Sequence, residues 1–220
     1  MFTMPRRSFI SYLTVVILPL LLITSAGFYQ SGEKRLFDGK TFNGWEGNLK
    51  FFRIENGAIG GGSSSESLDH NEFLCTTEEY NDFELRLKVK LLGDPAKANA
   101  GVQFRSQRIP NHHEVIGYQA DMGQQYWGAL YDESRRRKIL SGPNQDDLNK
   151  VLKSEDWNDY VIRAEGKRVR LSLNGFQTAD YTEADDSVEQ HGRICLQIHA
   201  GPPSEAWYKD ITIKPLQIKK

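Results

Sequence analysis

The sequence predicts an all-β fold, a β-sandwich or jelly roll, from two observations. Apolar and polar residues alternate with a period of two through most of the chain, which is typical of half-buried strands. Tight-turn residue pairs separate these runs, and no segment shows a helix period over enough residues to predict a long helix. Many antiparallel strands joined by hairpins are therefore expected.

The clearest strand covers residues 83–91, FELRLKVKL. Its apolar side chains fall on one side of an extended chain, and its charged side chains fall on the other. The apolar set is Phe83, Leu85, Leu87, Val89 and Leu91, and the charged set is Glu84, Arg86, Lys88 and Lys90. This strand is expected to cover the core with one face and to meet water with the other.

Hairpin turns divide the rest of the chain. Asn-Gly pairs at residues 56–57 and 174–175 supply the positive φ angles of a tight turn. With the Glu-Gly-Lys turn at 165–167, the second pair predicts a three-stranded meander over residues 160–181. Residues 192–200 and 207–216 read as the last two strands.

Two segments do not alternate. Residues 61–72 predict a polar loop. Residues 132–156 are charged and interrupted by Pro and Gly, so that we expect either a short helix or a long excursion over one face. Long loops in compact domains are often functional.

Residues 1–26 have the layout of a signal peptide, with Arg6 and Arg7 ahead of an apolar run and small residues up to Ala26. An uncleaved N-terminal anchor is the alternative. A periplasmic or secreted protein is expected. Export permits a disulfide between Cys75 and Cys195, although two buried thiols fit the sequence equally well, and two Cys alone make no metal site.

The charge balance disfavours some partners. Without residues 1–26, which contain two arginines and no acids, 26 basic and 29 acidic residues give a formal charge of −3. A mildly acidic protein is poorly suited to nucleic acid or an anionic membrane as its main partner.

Three predicted strands carry hydrogen-bonding residues two apart on the side opposite their apolar residues. Because such residues share a face, the sequence predicts a polar cleft rather than an ordinary wet surface, which elsewhere in this chain carries Glu, Arg and Lys. The strands present Gln103 with Arg105, Gln119 with Asp121, and Gln197 with His199. With the rings of Trp127 and Tyr131, these amides suit a sugar, and we expect Gln103, Gln119 and Gln197 to bind substrate hydroxyls.

Single residues near this face leave alternatives open. His199 is either a buried structural residue, a general base or a metal ligand. Asp132 and Glu133 stand beside Arg135 and Arg136, an arrangement able to form ion pairs that fix a loop over the cleft. His112 and His113 are adjacent and so are not spaced as paired metal ligands. No nucleophile elbow, phosphate loop or HExxH motif occurs.

The order of several motifs resembles one known domain family. The motifs are LFDGKTFNGWEG (36–47), FRIENGAIGG (52–61), FLCTTEEYNDFELRLKVKL (73–91), NAGVQFRS (99–106), GYQAD (117–121), DWNDYVIRAEGKRVRLSLNG (156–175) and IHAGPPSEAWYKDITIK (198–214). Together they are similar to the 3-keto-disaccharide hydrolase (DUF1080) domain, over residues 34–216. The resemblance implies a concanavalin-A-like jelly roll and an exported enzyme that acts on 3-keto-glucosides.

The implied chemistry assigns roles to the polar face. His199 or Asp121 is the base that removes the C2 proton, and Arg105 or a divalent cation stabilises the enolate. Glu133 or Tyr131 gives a proton to the leaving oxygen. The candidate ligands of a divalent metal ion are Asp121, Asp132, Glu133 and His199. A conventional two-carboxylate glycosidase and a non-catalytic lectin-like module remain alternatives.

Overall fold

The computed structural model describes Met1 and residues 32–216. The predicted signal peptide therefore lies, apart from Met1, outside the described residues. Within the described part of the chain, no helix is long and apolar enough to cross a bilayer.

Almost all regular structure in these residues is β-strand. The strands are β1 (Lys34–Arg35), β2 (Trp45–Glu46), β3 (Phe52–Glu55), β4 (Ala58–Ser63), β5 (Glu72–Thr76), β6 (Phe83–Gly93), β7 (Ala100–Arg108), β8 (Val115–Met122), β9 (Leu130–Glu133), β10 (Ile139–Ser141), β11 (Asn158–Glu165), β12 (Arg168–Leu173), β13 (Phe176–Thr182), β14 (Arg193–Ile198) and β15 (Ser204–Pro215). A short 3-10 turn (Gln124–Tyr126) and one helix, α1 (Gln145–Asn149), accompany them.

The strands form two antiparallel sheets. The first sheet has the order β13-β12-β11-β6-β15-β4-β3, with β1 also paired to β15. The second has the order β10-β9-β8-β7-β14-β5-β2. The predicted all-β sandwich is confirmed.

The core lies between the two sheets, as the period-two pattern requires. In β6 the five predicted apolar side chains are all buried, and the strand sits in the middle of the first sheet between β11 and β15. The predicted meander over 160–181 is the β11-β12-β13 part of that sheet. Burial of such apolar area is the main stabilising term of the fold.

The two loop segments are partly regular. Residues 61–63 complete β4 and residue 72 begins β5, so the predicted polar loop is shorter than expected. Segment 132–156 contains β10 and α1. The side chain of Asn144 caps α1 by accepting from the Asp147 N–H at 3.2 Å, and Leu148 anchors the helix in the core.

Cys75 and Cys195 form a disulfide between β5 and β14, which decides between the two alternatives that the sequence leaves open. The bond closes a loop of 120 residues and lies with Phe73 and Val115 in a small buried cluster on the second sheet. Cross-linking over so long a loop stabilises mainly by restricting the unfolded chain.

Removal of this disulfide is expected to lower the free energy of unfolding by about 3–5 kcal/mol. Denaturant titrations of the wild type, with and without reductant, and of a Cys75→Ala, Cys195→Ala variant measure the change. The reduced wild type isolates the cross-link from the side-chain truncation. A reduced protein as stable as the oxidised one would contradict the expectation.

Candidate functional site

A polar row crosses the middle of the second sheet on its outer face. In register, Tyr131 on β9 pairs with Gln119 on β8, Gln119 with Gln103 on β7, and Gln103 with Cys195 on β14. The neighbouring row holds Asp121, followed by Gly101 and then Gln197. The structure thus brings side chains from four strands to one face.

A cavity of about 160 Å³ opens on this face. Five of its lining residues are among the predicted site residues: Gln119, Asp121, Tyr131, Glu133 and His199. Asn99 and Tyr126 complete the lining. The volume is below the usual range for drug-sized ligands and suits a single sugar ring. We call this cavity and its lining the cleft.

A chain of hydrogen bonds orients the carboxyl group of Asp121. Ser106 Oγ donates to Gln103 Oε1 at 3.2 Å, Gln103 Nε2 donates to Gln119 Oε1, and Gln119 Nε2 donates to Asp121 Oδ1 at 2.6 Å. Gly101 leaves room for the Gln119 side chain, because a Cβ at that position would lie 2.5 Å from Gln119 Cδ. The second carboxyl oxygen of Asp121 remains free of this chain of bonds.

Two carboxyl groups of the cleft hold their protons more tightly than usual. Burial, with a further contribution from the charge of Glu133, raises the pKa of Asp121 from 3.8 to about 8, against the opposing hydrogen bond from Gln119. Burial and the nearby charge of Glu114 raise the pKa of Glu133. Asp121 is therefore mostly a neutral carboxylic acid at pH 7.

His199 follows the end of β14 and presents a proton acceptor. Its Nδ1 lies 2.7 Å from the carbonyl oxygen of Ala200. Because a carbonyl oxygen only accepts, Nδ1 carries the proton in the neutral ring, and Nε2 carries the lone pair. The backbone N–H of His199 donates to the carbonyl of Asn99 at 3.3 Å. This bond holds His199 beside the start of β7.

Glu114 enters this region from the loop between β7 and β8. Its Oε1 accepts from Asn71 Nδ2 at 2.9 Å, and Asn71 in turn accepts from the backbone N–H of Ala200 through Oδ1 at 2.8 Å. Its Oε2 is buried without a hydrogen-bond partner among the described residues. Glu114 thus adds a third acidic group beside Glu133.

Comparison with known proteins gives the family. Residues 32–214 match the model of the 3-keto-alpha-glucoside-1,2-lyase-like domain, which is nearly all of the described chain. The chain belongs to this lyase-like family. No curated protein matches it.

Solved structures resemble the lyase-like domain at low sequence identity. A putative glycosyl hydrolase from Parabacteroides distasonis ATCC 8503 is 19% identical, with a TM-score of 0.63 over 84% of this chain and 94% of that one. The carbohydrate-binding module CBM66 from Bacillus subtilis is 18% identical, with a TM-score of 0.58 over 78% and 95%. A galectin-like protein of unknown function from Bacillus subtilis is 12% identical, with a TM-score of 0.61 over 83% and 94%. These likenesses show the shared sandwich fold.

Three predicted substrate-binding residues of the lyase-like domain do not line the cleft: Gln103, Trp127 and Gln197. Gln103 is fully buried on β7 and bonds Gln119 and Ser106 instead. Trp127 packs against the core and lines a separate cavity with Leu91 and Leu152. Gln197 lies fully buried in the floor beside Gly101, and neither atom of its amide group has a partner among the described residues.

Asp132 faces the interior, because it alternates with Tyr131 and Glu133 along β9. It is fully buried and pairs with Arg135 at 2.7 Å and with Arg136. The predicted ion pairs of Asp132 are therefore present, but Asp132 does not join the other candidate metal ligands. Among the described residues, no group of three or more His, Cys, Asp or Glu side chains is arranged to hold a metal ion.

Arg105 is also absent from the cleft, and a β-bulge is the reason. The register of β7 and β8 shifts between Phe104 and Gln107, and Arg105 has a φ of +48°. The bulge breaks the alternation that would have placed Arg105 beside Gln103. The buried guanidinium instead bonds Asp82 at 2.8 Å, the Gly166 carbonyl at 2.7 Å, the Asn81 carbonyl at 2.8 Å and Gln190 at 2.6 Å.

Replacing Arg105 with alanine is expected to lower the free energy of unfolding by about 3 kcal/mol, because Asp82 is left without its buried partner. Denaturant unfolding measures this, with Arg86→Ala, at an exposed ion pair, as the control. A variant as stable as the wild type would contradict a structural role. Folded Arg105→Ala protein is expected to retain its turnover of substrate.

Proposed function

We propose that this protein is an exported enzyme that cleaves 3-keto-glycosides by elimination of the substituent at C1. The observation that carries the proposal is the pairing, in one sugar-sized cavity, of a neutral carboxylic acid at Asp121 with a free imidazole nitrogen at His199. Environments that separate the protonation states of neighbouring groups in this way are typical of acid and base pairs. The family match supports the substrate class.

The ketone at C3 of such a substrate makes the hydrogen at C2 acidic. A base takes that hydrogen as a proton, and the electron pair left on C2 is shared with the C3 carbonyl as an enolate. The enolate then forms the C1–C2 double bond while the C1–O bond breaks, and the leaving oxygen takes a proton. Addition of water across the new double bond places a hydroxyl at C1 and a hydrogen at C2, so that the sum is hydrolysis.

The cleft offers a group for each step. Nε2 of His199 is the base for the C2 hydrogen. The carboxyl oxygen of Asp121 that does not accept from Gln119 carries a proton and donates a hydrogen bond to the C3 oxygen as charge develops there. Glu133, whose pKa is raised by burial and by Glu114, gives a proton to the leaving oxygen, with Tyr131 beside it. Asn99 and Gln119 bind sugar hydroxyls.

Asp121 takes the place that the sequence suggested for Arg105. A neutral acid donates a hydrogen bond without placing an unpaired buried charge in the ground state. A neutral acid in this place stabilises the enolate without a metal ion.

The proposed location is the periplasm or the cell exterior. The layout of residues 1–26 and the disulfide between Cys75 and Cys195 support this location, since disulfides persist in oxidising compartments.

The test is to incubate the purified protein with an aryl 3-keto-glucoside and with its unoxidised parent, and to follow release of the aryl alcohol. Release from the keto compound alone is expected. Release from both compounds at similar rates would favour a conventional glycosidase. Binding of either sugar without any release would favour a non-catalytic carbohydrate-binding module.

A further inference from the structure

A second and larger groove lies on the outer face of the first sheet, away from the cleft on the second. Its volume is about 320 Å³. Strands β3, β4, β6 and β15 and the segment before β11 supply its lining, which includes Glu55, Lys90, Trp157, Glu205, Trp207 and Lys209. We call it the tryptophan groove. The proposed reaction uses none of these residues.

The floor of the tryptophan groove is a tryptophan laid flat on the sheet. Trp207 on β15 pairs in register with Gly60 on β4 and with Lys90 on β6. A Cβ at Gly60 would lie 2.7 Å from the Trp207 ring, so only glycine lets the ring rest there. The Arg53 guanidinium stacks on the ring at 4.5 Å. Trp207 is therefore covered, and Trp157 is the half-exposed ring of the groove.

Two lysines meet over the ring of Trp157. Lys209 Nζ lies 4.1 Å from its centroid and Lys90 Nζ lies 5.1 Å from it. Among the described residues, neither lysine has a carboxylate within ion-pair distance. Other cations of this face are paired, as in Lys88 with Asp159 at 2.5 Å and Arg86 with Glu84 at 2.6 Å.

The acids that line the tryptophan groove are already engaged. Arg53 lies 2.6 Å from Glu205 and 3.6 Å from Glu55, and Glu205 also accepts from the indole N–H of Trp207 at 3.2 Å. Arg53 offsets one of these two carboxylates, so that with Lys90 and Lys209 the groove has a formal net charge of +1, and both ammonium groups lie at Trp157. Two ammonium groups at one indole repel each other, and an oxyanion between them would be stabilised by both.

We propose that the tryptophan groove is a second carbohydrate site, which binds an acidic saccharide. The carboxylate or sulfate group of the saccharide binds between the Lys90 and Lys209 ammonium groups and draws them off the Trp157 ring, and the C–H face of the sugar packs on the ring face that they leave. The site would hold the enzyme on an acidic glycan while the cleft on the opposite sheet stays open. It does not depend on the proposed reaction.

Calorimetric titration of the full chain with trigalacturonate tests the proposal, with neocarrabiose 4-sulfate as the sulfate arm. Lys90→Gln with Lys209→Gln, and separately Trp157→Ala, are each expected to weaken binding about ten-fold or more. Lys88→Gln, an ion-paired lysine on the same face, is the matched control and should change little. Asp121→Ala, which removes the hydrogen-bond donor of the cleft, should bind the acidic saccharide as the wild type does, and this separates the two sites.

Three probes check the ligand class. The neutral methyl ester of trigalacturonate and the peptide triglutamate are both expected to bind much more weakly, and Trp157→Phe is expected to keep part of the affinity. Equal binding of the ester would overturn the charge assignment, and equal binding of triglutamate would overturn the sugar assignment. Unchanged affinity in folded Trp157→Ala protein, or no binding of either acidic saccharide at millimolar concentration, would overturn the site itself.

Discussion

Replacement of His199 with glutamine is expected to lower kcat/KM on an aryl 3-keto-glucoside about 10²–10⁴-fold, because glutamine cannot accept the C2 proton. Glutamine keeps a polar side chain of similar reach, so the fold and the binding of substrate should survive. The hydrogen bond from Nδ1 to the Ala200 carbonyl is what leaves Nε2 as the acceptor in the wild type. Steady-state release of the aryl alcohol measures the loss.

The control for this result is His191→Gln, at a half-exposed histidine in the segment before β14. That change should leave kcat/KM as it is. An unchanged kcat/KM in His199→Gln would assign the base to another group. A rise in KM alone, with kcat intact, would make His199 a binding residue.

Replacement of Asp121 with alanine is expected to lower kcat about 10²–10³-fold, the usual effect of removing one donor to a developing oxyanion. Asparagine should do much less harm, since its amide also donates a hydrogen bond and its oxygen still accepts from Gln119. The contrast between the two variants separates a neutral donor from a base. Equal, complete loss in both variants would indicate that the carboxylate itself removes the proton.

The pH dependence of wild-type activity also distinguishes a neutral hydrogen-bond donor from a base at Asp121. Since the pKa of Asp121 is raised to about 8, the donor is lost as pH rises through that value, and activity should fall there. Asp121→Asn should lack this decline. Activity that instead rises through pH 8 would contradict the assignment, because a base becomes competent only when it is ionised.

Stability provides a check that does not depend on turnover. The folded carboxyl of Asp121 binds its proton more tightly than the unfolded one, whose pKa is near 3.8. The tighter binding of this proton stabilises the folded state. The stabilisation is complete below about pH 4 and is lost as pH rises toward about 8. Asp121→Asn lacks it, so the stability of the variant relative to the wild type should increase over that range.

The sandwich was predictable because alternation reports directly which side chains face the core. In β6 apolar and charged residues alternate over nine residues without interruption, and all five apolar side chains are buried. The Asn-Gly pair at 174–175 likewise fixes the β12-β13 hairpin through backbone geometry alone. What alternation cannot give is the pairing of strands distant in sequence, such as β14 with β7.

The rule that residues two apart on a strand share a face predicted much of the cleft, and it also explains which predicted site residues were wrong. Gln119 with Asp121, and Tyr131 with Glu133, are residues two apart that do share a face. The rule failed at Arg105, where a bulge breaks the period. Asp132 lies between Tyr131 and Glu133 on β9, so its side chain points to the opposite face and is buried. The bulge at Arg105 is a local backbone effect with no clear mark in the sequence, whereas the inward direction of Asp132 follows from its alternation with Tyr131 and Glu133 and could have been predicted.

Three residues of the cleft region were missed for different reasons. Asn99 stands two residues before Gly101, so extension of the β7 alternation by one step would have found it. Tyr126 lies in the 3-10 turn and Glu114 at the end of a loop, where no period applies. Loop residues are placed by tertiary contacts, such as the Asn71 bond to Glu114, which local sequence does not encode.

The most direct test of the proposed elimination is the fate of the hydrogen at C2. An aryl 3-keto-glucoside labelled with deuterium at C2 is turned over in ordinary water, and the 3-keto-glucose formed in the first turnovers is examined by NMR, with enzyme-free exchange of substrate and product subtracted. Elimination followed by hydration predicts a product that carries solvent hydrogen at C2, and slower release from the labelled substrate. A product that keeps its deuterium, released at the same rate as from the unlabelled compound, would show direct substitution at C1 and contradict the mechanism.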